Sequence, residues 1–504
     1  MRNCHSCGAA NRASATYCGT CGVVLPTAEL NLATMPPSDA TRYLCAAVQL
    51  DSRLAKQVVR DVLDEKYKAP PSSPDVDLVP VVLHAIEAQK RQFVRDLLLT
   101  LLLFVGAWAL YTARPLVFVV ATALCWVAVF GETLVATYGV VAHELHPARF
   151  KPDAMSRPYD AEQRARLVKI AEARQGNVSV YSAYRPFVGS GKLVDAWSVV
   201  LDTDQAAEED QEVESFTALE VHDFVRDQLR DLRTGTVTMT DRVFVDGRDI
   251  RDDIRFLPEQ VGAPVTAVDT ALLRSLTIES EDRARPYLCI EVSGWQGQLV
   301  HSTFLRFVVT PHELFIEVSH FVLTPVRDEF QEVDRLLPEP TAGQALRIGG
   351  RALRRTPGHL FRAPIATVVR LFGSATQEHQ RTRQKREILN ALRFDHGAPA
   401  SPRETVSDRW YQRYFQQLDH DWYTKVIDKR LFQSLTEFLE SKGIDIGELT
   451  QRQTVIQNSG VWVAGGGSVT AGSIAAGTGA RATSMISKVA NAARQGVNEV
   501  VGRN

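Results

Sequence analysis

Residues Leu97 to Ala142 read LLLTLLLFVGAWALYTARPLVFVVATALCWVAVFGETLVATYGVVA, and this stretch sets the layout of the whole chain. It holds Arg114 and Glu132 and otherwise no charge. A helix that crosses a bilayer needs roughly twenty apolar residues. The stretch contains two such lengths, joined at Tyr111-Thr112-Ala113-Arg114-Pro115. A charge at mid-bilayer costs about 3 kcal/mol, so Arg114 belongs at the turn, and Glu132 belongs near an interface or against a protein partner. The competing reading is a buried helical hairpin of a soluble protein, and only the shortness of each half favours it.

Working outward, Lys90, Arg91 and Arg95 precede the hairpin, Arg149 and Lys151 follow it, and Arg114 alone occupies the turn. Basic residues collect on the cytoplasmic side of membrane helices, so both termini are expected in the cytoplasm. Arginine far outnumbers lysine, as in GC-rich bacterial genes, and the expected location is therefore a bacterial inner (cytoplasmic) membrane. A formal net charge of -2 gives no whole-chain attraction to nucleic acid or acidic lipid. Any electrostatic partner must be met by a local patch.

The chain opens with CHSCGAANRASATYCGTCG, from Cys4 to Gly22. Each CxxC turn delivers two thiolates to one side of a tetrahedral zinc ion, which makes Cys4, Cys7, Cys18 and Cys21 the expected ligands of a structural zinc. So short a segment cannot bury a core of its own, and metal binding would supply its folding energy. This stretch of about twenty residues resembles the zinc-ribbon family. Some zinc ribbons bind nucleic acid, but Arg2 and Arg12 are the only basic residues here, too few to hold phosphates. Protein docking or sensing is the expected role. The remaining cysteines, Cys45, Cys125 and Cys289, are scattered and form no disulfide framework. Zinc-bound thiolates and the absence of an apolar secretory segment in residues 1–30 agree with a reducing cytoplasm.

These marks predict a membrane-anchored multidomain chain. A small zinc ribbon spans 1–25, with linker and cytoplasmic helices over 26–92 and a two-helix transmembrane hairpin over 93–145. A cytoplasmic α+β domain with antiparallel strands takes 150–338. Its expected elements are a helix at Asp160–Ala173, strands at Asn177–Tyr184 and Asp195–Asp202, and a helix at Ala218–Leu232. The run ending at Leu323 reads as three antiparallel strands turning at Gly294-Trp295 and Pro311-His312. A basic amphipathic segment covers 339–375. Arg347, Arg351, Arg354, Arg355, Arg362 and Arg370 occur there with no acid between Glu339 and Glu378, a pattern that suits anionic lipid or a solvated helix pair. A helical region over 376–450 ends its helix at Gly443, as a C-cap should. A Gly-rich tail and terminal amphipathic helix fill 451–504.

No catalytic residue and no organic cofactor emerges. RPFVGSGK, ending at Lys192, has Pro186 where a phosphate loop needs glycine and Leu193 where it needs Ser or Thr. It reads as a glycine-permitted turn, or as an exposed recognition loop using Tyr181, Tyr184 and Phe187. HELH at His143 to His146 lacks the spacing of a zinc protease. His301 and His320 are cross-strand neighbours if the chain turns at Pro311, without a third ligand in view. Asp419-His420-Asp421 offers a base with flanking carboxylates, or a polar break between helices. Cys289 lies in an apolar strand as a small hydrophobe.

TRYLCAAVQLD, VYSAYRPFVGSG and DKRLFQSLTEFLESKGIDIGELTQRQTVIQNSGV resemble uncharacterised bacterial membrane proteins, and the resemblance implies no activity. The expectation is a non-enzymatic adaptor, sensor or docking platform on the cytoplasmic face. Its partners would be inner-membrane lipids, a second copy of itself, and a cytoplasmic protein or large assembly such as a contractile injection particle or a stress complex. The alternatives are a membrane-disrupting cell-death or defence effector, and an enzyme with an unrecognised site in the α+β domain.

Overall fold

In the computed structural model the described residues are 38–458, without 153–160, 209–211, 233, 337–338 and 399, together with 2–3 and 10–11. The two-residue strands β1 (Arg2–Asn3) and β2 (Ala10–Asn11) pair antiparallel. Cys4, Cys7, Cys18 and Cys21 lie outside the described residues, as does the Gly-rich tail beyond 458.

Ser38 caps α1 (Asp39–Leu50) by accepting from the Thr41 N–H, and Asp51 caps α2 (Ser52–Val58), which runs into a π-helical turn at Val59–Asp64. The proline-rich connection ends at Asp77, whose carboxylate caps α3 (Leu78–Tyr111) through the Val79 N–H. This helix of 34 residues has two characters. Its first turns bury Leu78, Val81, Val82, Ala85 and Ala88 with α1 and α2 in one core. The rest continues outward as the first arm of the apolar hairpin. The chain reverses at Thr112–Arg114 and returns through α4 (Pro115–Leu134), which passes into a π-helical segment at Val135–Val141. Pro115 sits in the first turn, where its missing N–H removes no intrahelical bond.

After α5 (Ala161–Gln175) come β3 (Val178–Tyr181), β4 (Lys192–Asp202), α6 (Ala218–Leu229), β5 (Thr236–Asp246), α7 (Thr270–Ile278), β6 (Ala284–Gly294), β7 (Leu299–Val309) and β8 (Glu313–Leu323). The six strands form one sheet in the order β3-β5-β6-β7-β8-β4. β6, β7 and β8 are the expected antiparallel run, while β3 joins β5 in parallel and makes the sheet mixed. RPFVGSGK is the turn between β3 and β4. Gly191 takes φ +90 with the Val322 carbonyl against it, leaving no room for a Cβ.

The short helix α8 (Asp328–Gln331) leads to α9 (Ala342–Leu371), α10 (Gly373–Asn390), α11 (Pro402–Val406), α12 (Tyr414–Ser441) and α13 (Gly447–Asn458). One face of the sheet packs on α6 and α12. Leu288, Ile290, Leu305, Ile316 and Val318 meet Val221, Leu431, Leu435 and Phe438 there. Each such side chain contributes about 1.5–3 kcal/mol on full burial. Trp197 on β4 stacks on Phe432 of α12, with centroids 5.0 Å apart. The helical region after 376 thus shares its core with the strands before 338. The opposite face of the sheet gathers Phe187, Phe244, Tyr287, Phe304 and Phe321. Phe187 stacks on Phe304 at 3.9 Å, so of the three aromatics read as a recognition loop only Tyr184 stands fully out.

Candidate functional site

Three features lie outside simple core packing: the apolar hairpin, a cleft on the aromatic face of the sheet, and a histidine network on the α12 face.

Both arms of the hairpin are long and apolar enough to cross a membrane, and only 22% and 17% of their most apolar stretches are buried. Leu101, Phe104, Trp108, Leu116, Val119 and Leu124 all face outward. Contiguous exposed apolar side chains of this kind suit a lipid or protein contact. Glu132, the one acid in the returning arm, is paired within the chain. Its carboxylate oxygens meet Arg91 Nε at 3.3 Å and an Arg95 guanidinium nitrogen at 3.2 Å. Arg95 also holds Asp96 at 2.8 Å. This charged collar encircles the base of the hairpin.

The basic segment is one helix laid across that base. The first half of α9 meets the returning arm, where Ile348 packs with Tyr138. Its second half meets α3, where Thr367 and Thr100 share a hydrogen bond of 3.1 Å and Arg370 bonds Gln89. Pro357 and Pro364 lie inside α9, and each removes a backbone donor. Leu346, Leu353, Phe361 and Ile365 point outward, while the small residues Ala352 and Ala363 turn to the hairpin.

The cleft has a volume of about 180 Å³ and lies between the Ala69–Leu78 connection, the end of α5 and the floor formed by β5 and β6. Asp75 enters it at φ +57, a strained backbone for a non-glycine residue. Its Oδ2 accepts from Ser293 Oγ at 2.7 Å and its carbonyl from Ser38 Oγ at 2.5 Å. Burial pushes the Asp75 carboxyl up, against Ser293, Arg174 and Arg403. Burial likewise pushes Glu291 up, with Arg242 opposing and Asp75 adding. Behind them Arg403 is fully buried, donates to the carbonyls of Gln298 at 3.1 Å and Thr324 at 2.9 Å, and is pulled down to about 10 by desolvation.

On the other face, His301 and His320 are brought together as their strand register implies, with ring centroids 5.4 Å apart. Thr303 Oγ1 lies 3.0 Å from His301 Nε2 and 3.0 Å from His320 Nδ1. His320 Nε2 lies 3.0 Å from Asp428 on α12. One proton arrangement satisfies every contact: His320 donates to Asp428, Thr303 to His320, and His301 to Thr303. His301 Nδ1 then keeps a bare lone pair, and it has no partner among the described residues. His420 stands 5.1 Å from the His301 ring. Of the Asp419-His420-Asp421 cluster, Asp419 turns away to accept from the Trp295 indole at 2.8 Å, while His420 turns into the core with Asp421 3.6 Å from its Nδ1.

Among the described residues no three His, Cys, Asp or Glu side chains are arranged to hold a metal ion. His143 and His146 lie in a turn after the π-helical segment and do not share a helix face. Cys289 is buried, its thiol pushed well up by desolvation, and packs with Phe304 as a small hydrophobe. Asp75, Arg242 and Glu291 escaped sequence reading because they come from three distant segments. The only local signal was an acid ending a proline-rich run.

The arrangement defines a class: a mixed α+β body carrying a bare two-helix apolar hairpin with a third helix across its base. Within it, the AbeC-like domain, an uncharacterised family, matches residues 196–470, more than half of the chain, and the chain belongs to the AbeC-like family. The match runs from β4 past α13 and leaves the hairpin outside. No curated protein and no solved structure matches the chain.

Proposed function

We propose that this chain is a membrane-held cytoplasmic platform, an adaptor or sensor that presents its α+β body and N-terminal cysteine module to a protein partner or assembly at the inner membrane. One observation carries the reading: the apolar hairpin is bare on most of its surface while the adjoining body closes a core of its own. A hairpin of two full-length arms holds a body at the bilayer, and tethering raises the effective concentration of whatever docks there. The collar of Arg91, Arg95 and Glu132 suits the headgroup level, and the arginines of α9 suit anionic lipid. Cys4, Cys7, Cys18 and Cys21 complete the proposal as zinc ligands of a docking knob.

The test is fractionation of cells expressing the full chain, followed by alkaline carbonate extraction. The chain is expected in the carbonate-resistant membrane pellet, and a Phe104→Arg/Val120→Arg variant, charged on two outward positions, is expected to leave it. Recovery of the wild type in the soluble fraction would overturn the anchoring. Affinity capture from mild detergent, wild type beside Cys4→Ser/Cys7→Ser, then asks whether partners depend on the cysteine module. Partners that survive the substitution move recognition to the α+β body, and no partner in either sample sinks the platform reading.

A further inference from the structure

The cleft beneath the proline-rich connection contains two opposite charges that do not meet. The Arg242 guanidinium makes no hydrogen bond or ion pair with any described residue, and its Nε is buried without a partner. The Glu291 carboxyl makes no hydrogen bond with a described residue either, although Arg242 is close enough to pull its titration down. Register explains the gap. Glu291 on β6 faces Thr238 of β5, whereas Arg242 faces Tyr287. The two therefore start four residues apart along β5, about 13 Å at 3.3 Å per residue, and reach toward each other over Thr240. Leaving a half-buried carboxylate and a half-buried guanidinium each unsatisfied is costly, and a folded chain avoids it unless something else completes the pair.

We propose that this cleft binds a small zwitterion of amino-acid size, its carboxylate taken by Arg242 and its ammonium by Glu291 and Asp75. A guanidinium offers the fork of donors that a carboxylate accepts, and two carboxyls on one wall suit an ammonium with three donors. The threonine hydroxyls of Thr238 and Thr240 line the floor between the charges. The space of about 180 Å³ is below the range usual for drug-sized ligands and larger cofactors and suits a small molecule. A singly charged ion leaves one protein charge unanswered. Asp75 ends two residues before Asp77, the cap of α3, so an occupant would touch the connection that leads into the hairpin. The site stands whether or not the hairpin enters a bilayer.

The experiment uses the full chain in detergent micelles, with the twenty standard amino acids supplied singly at millimolar concentration. Thermal unfolding and calorimetric titration are the readouts, and acetate and methylamine serve as singly charged controls. At least one amino acid is expected to raise the unfolding temperature and bind, with neither control doing so. Arg242→Gln and Glu291→Gln are each expected to weaken binding about tenfold or more, because each removes a charged hydrogen bond. Thr240→Val, which keeps both charges and the β-branched shape, is expected to weaken it less and guards against a variant that merely fails to fold. Far-UV circular dichroism checks each variant. No response to any amino acid overturns the proposal. So does an equal response to acetate, or binding unchanged in both charge variants.

Discussion

The indole N–H of Trp126 on α4 donates to the carbonyl of Gly349 on α9 across 3.1 Å. A Cβ at 349 would meet the Trp126 ring at 3.5 Å, so the close approach of the two helices tolerates one carbon and little more. Gly349→Ala is expected to keep or slightly raise the unfolding temperature, since alanine gains about 0.5–1 kcal/mol over glycine inside a helix. Gly349→Phe has no space against Trp126 and Phe130 and is expected to lift α9. Limited trypsin digestion should then cut at Arg351, Arg354 or Arg355 several times faster. Equal protection in the phenylalanine variant would mean that α9 does not depend on this contact.

Glu132 offers the second prediction. Its side chain is 13% exposed and those of Arg91 and Arg95 are 15% and 9% exposed, so all three depend on one another more than on water. Removing the acid leaves the Arg91 guanidinium without a carboxylate and Arg95 with Asp96 alone. Glu132→Leu is therefore expected to destabilise the base of the hairpin by about 3 kcal/mol, the lower end of the range for one-sided removal of a buried pair. Combining it with Arg95→Met should recover part of that loss. Unfolding curves of the purified single and double variants make the comparison, and losses that simply add would show that the pair is not coupled.

How far the chain could be read follows from where each signal resides. The hairpin limits, Tyr111 and Pro115, needed no neighbour, because composition and a Pro-containing turn are local. The run β6-β7-β8 was legible for the same reason, each strand lying one short turn from the next. The parallel pairing of β3 with β5 was not, since 54 residues of chain, including β4 and α6, lie between Tyr181 and Thr236. Nor was the path of α9. Its arginines are plain in the sequence, but the small residues that let it lie on the hairpin, Gly349, Ala352 and Ala363, have meaning only against Trp126 and Leu99. The cleft is the extreme case. Asp75, Arg242 and Glu291 each look like ordinary surface charge until the sheet register places them together.

The loop between β3 and β4 tests the same distinction by mutation. Phe187 lies among Phe244, Tyr287, Phe304 and Phe321, with ring centroids between 3.9 and 5.3 Å. Tyr184, three residues earlier, is 95% exposed. Phe187→Ala is expected to cost about 3 kcal/mol, the low end for a phenylalanine because the ring is only partly buried, while Tyr184→Ala should change stability by no more than about 0.5 kcal/mol. Denaturant unfolding monitored by circular dichroism separates the two. A tolerated Phe187→Ala would show that the loop does not seal the aromatic face.

Acid should weaken the α12 face of the sheet, and His301 is the residue to watch. Desolvation, then the nearby rings of His320 and His420, hold its titration far below the usual histidine value. The other groups facing it are Thr303, Asp428 through His320, Asp421 beside His420, and the phenol of Tyr411, which burial and Asp421 push up. Above the unfolded value of about 6.5 the imidazole is neutral in both the folded and the unfolded chain, and stability does not depend on its second proton. Below that value the unfolded chain takes up a proton that folded His301 refuses. Stability is therefore lost as pH falls, by at most about 1.4 kcal/mol per pH unit for this one group. Between pH 7.5 and 5.5 the wild type is expected to show a falling unfolding temperature, and His301→Gln, which cannot take the proton, a shallower fall. Ordinary carboxylates titrate below this window, whereas the buried Asp64 carboxyl, pushed up to about 6, titrates within it and with the opposite sign, so the difference between wild type and His301→Gln is what isolates His301. A slope unchanged by His301→Gln would assign the acid sensitivity to another group and leave the His301–Thr303–His320–Asp428 chain as packing alone.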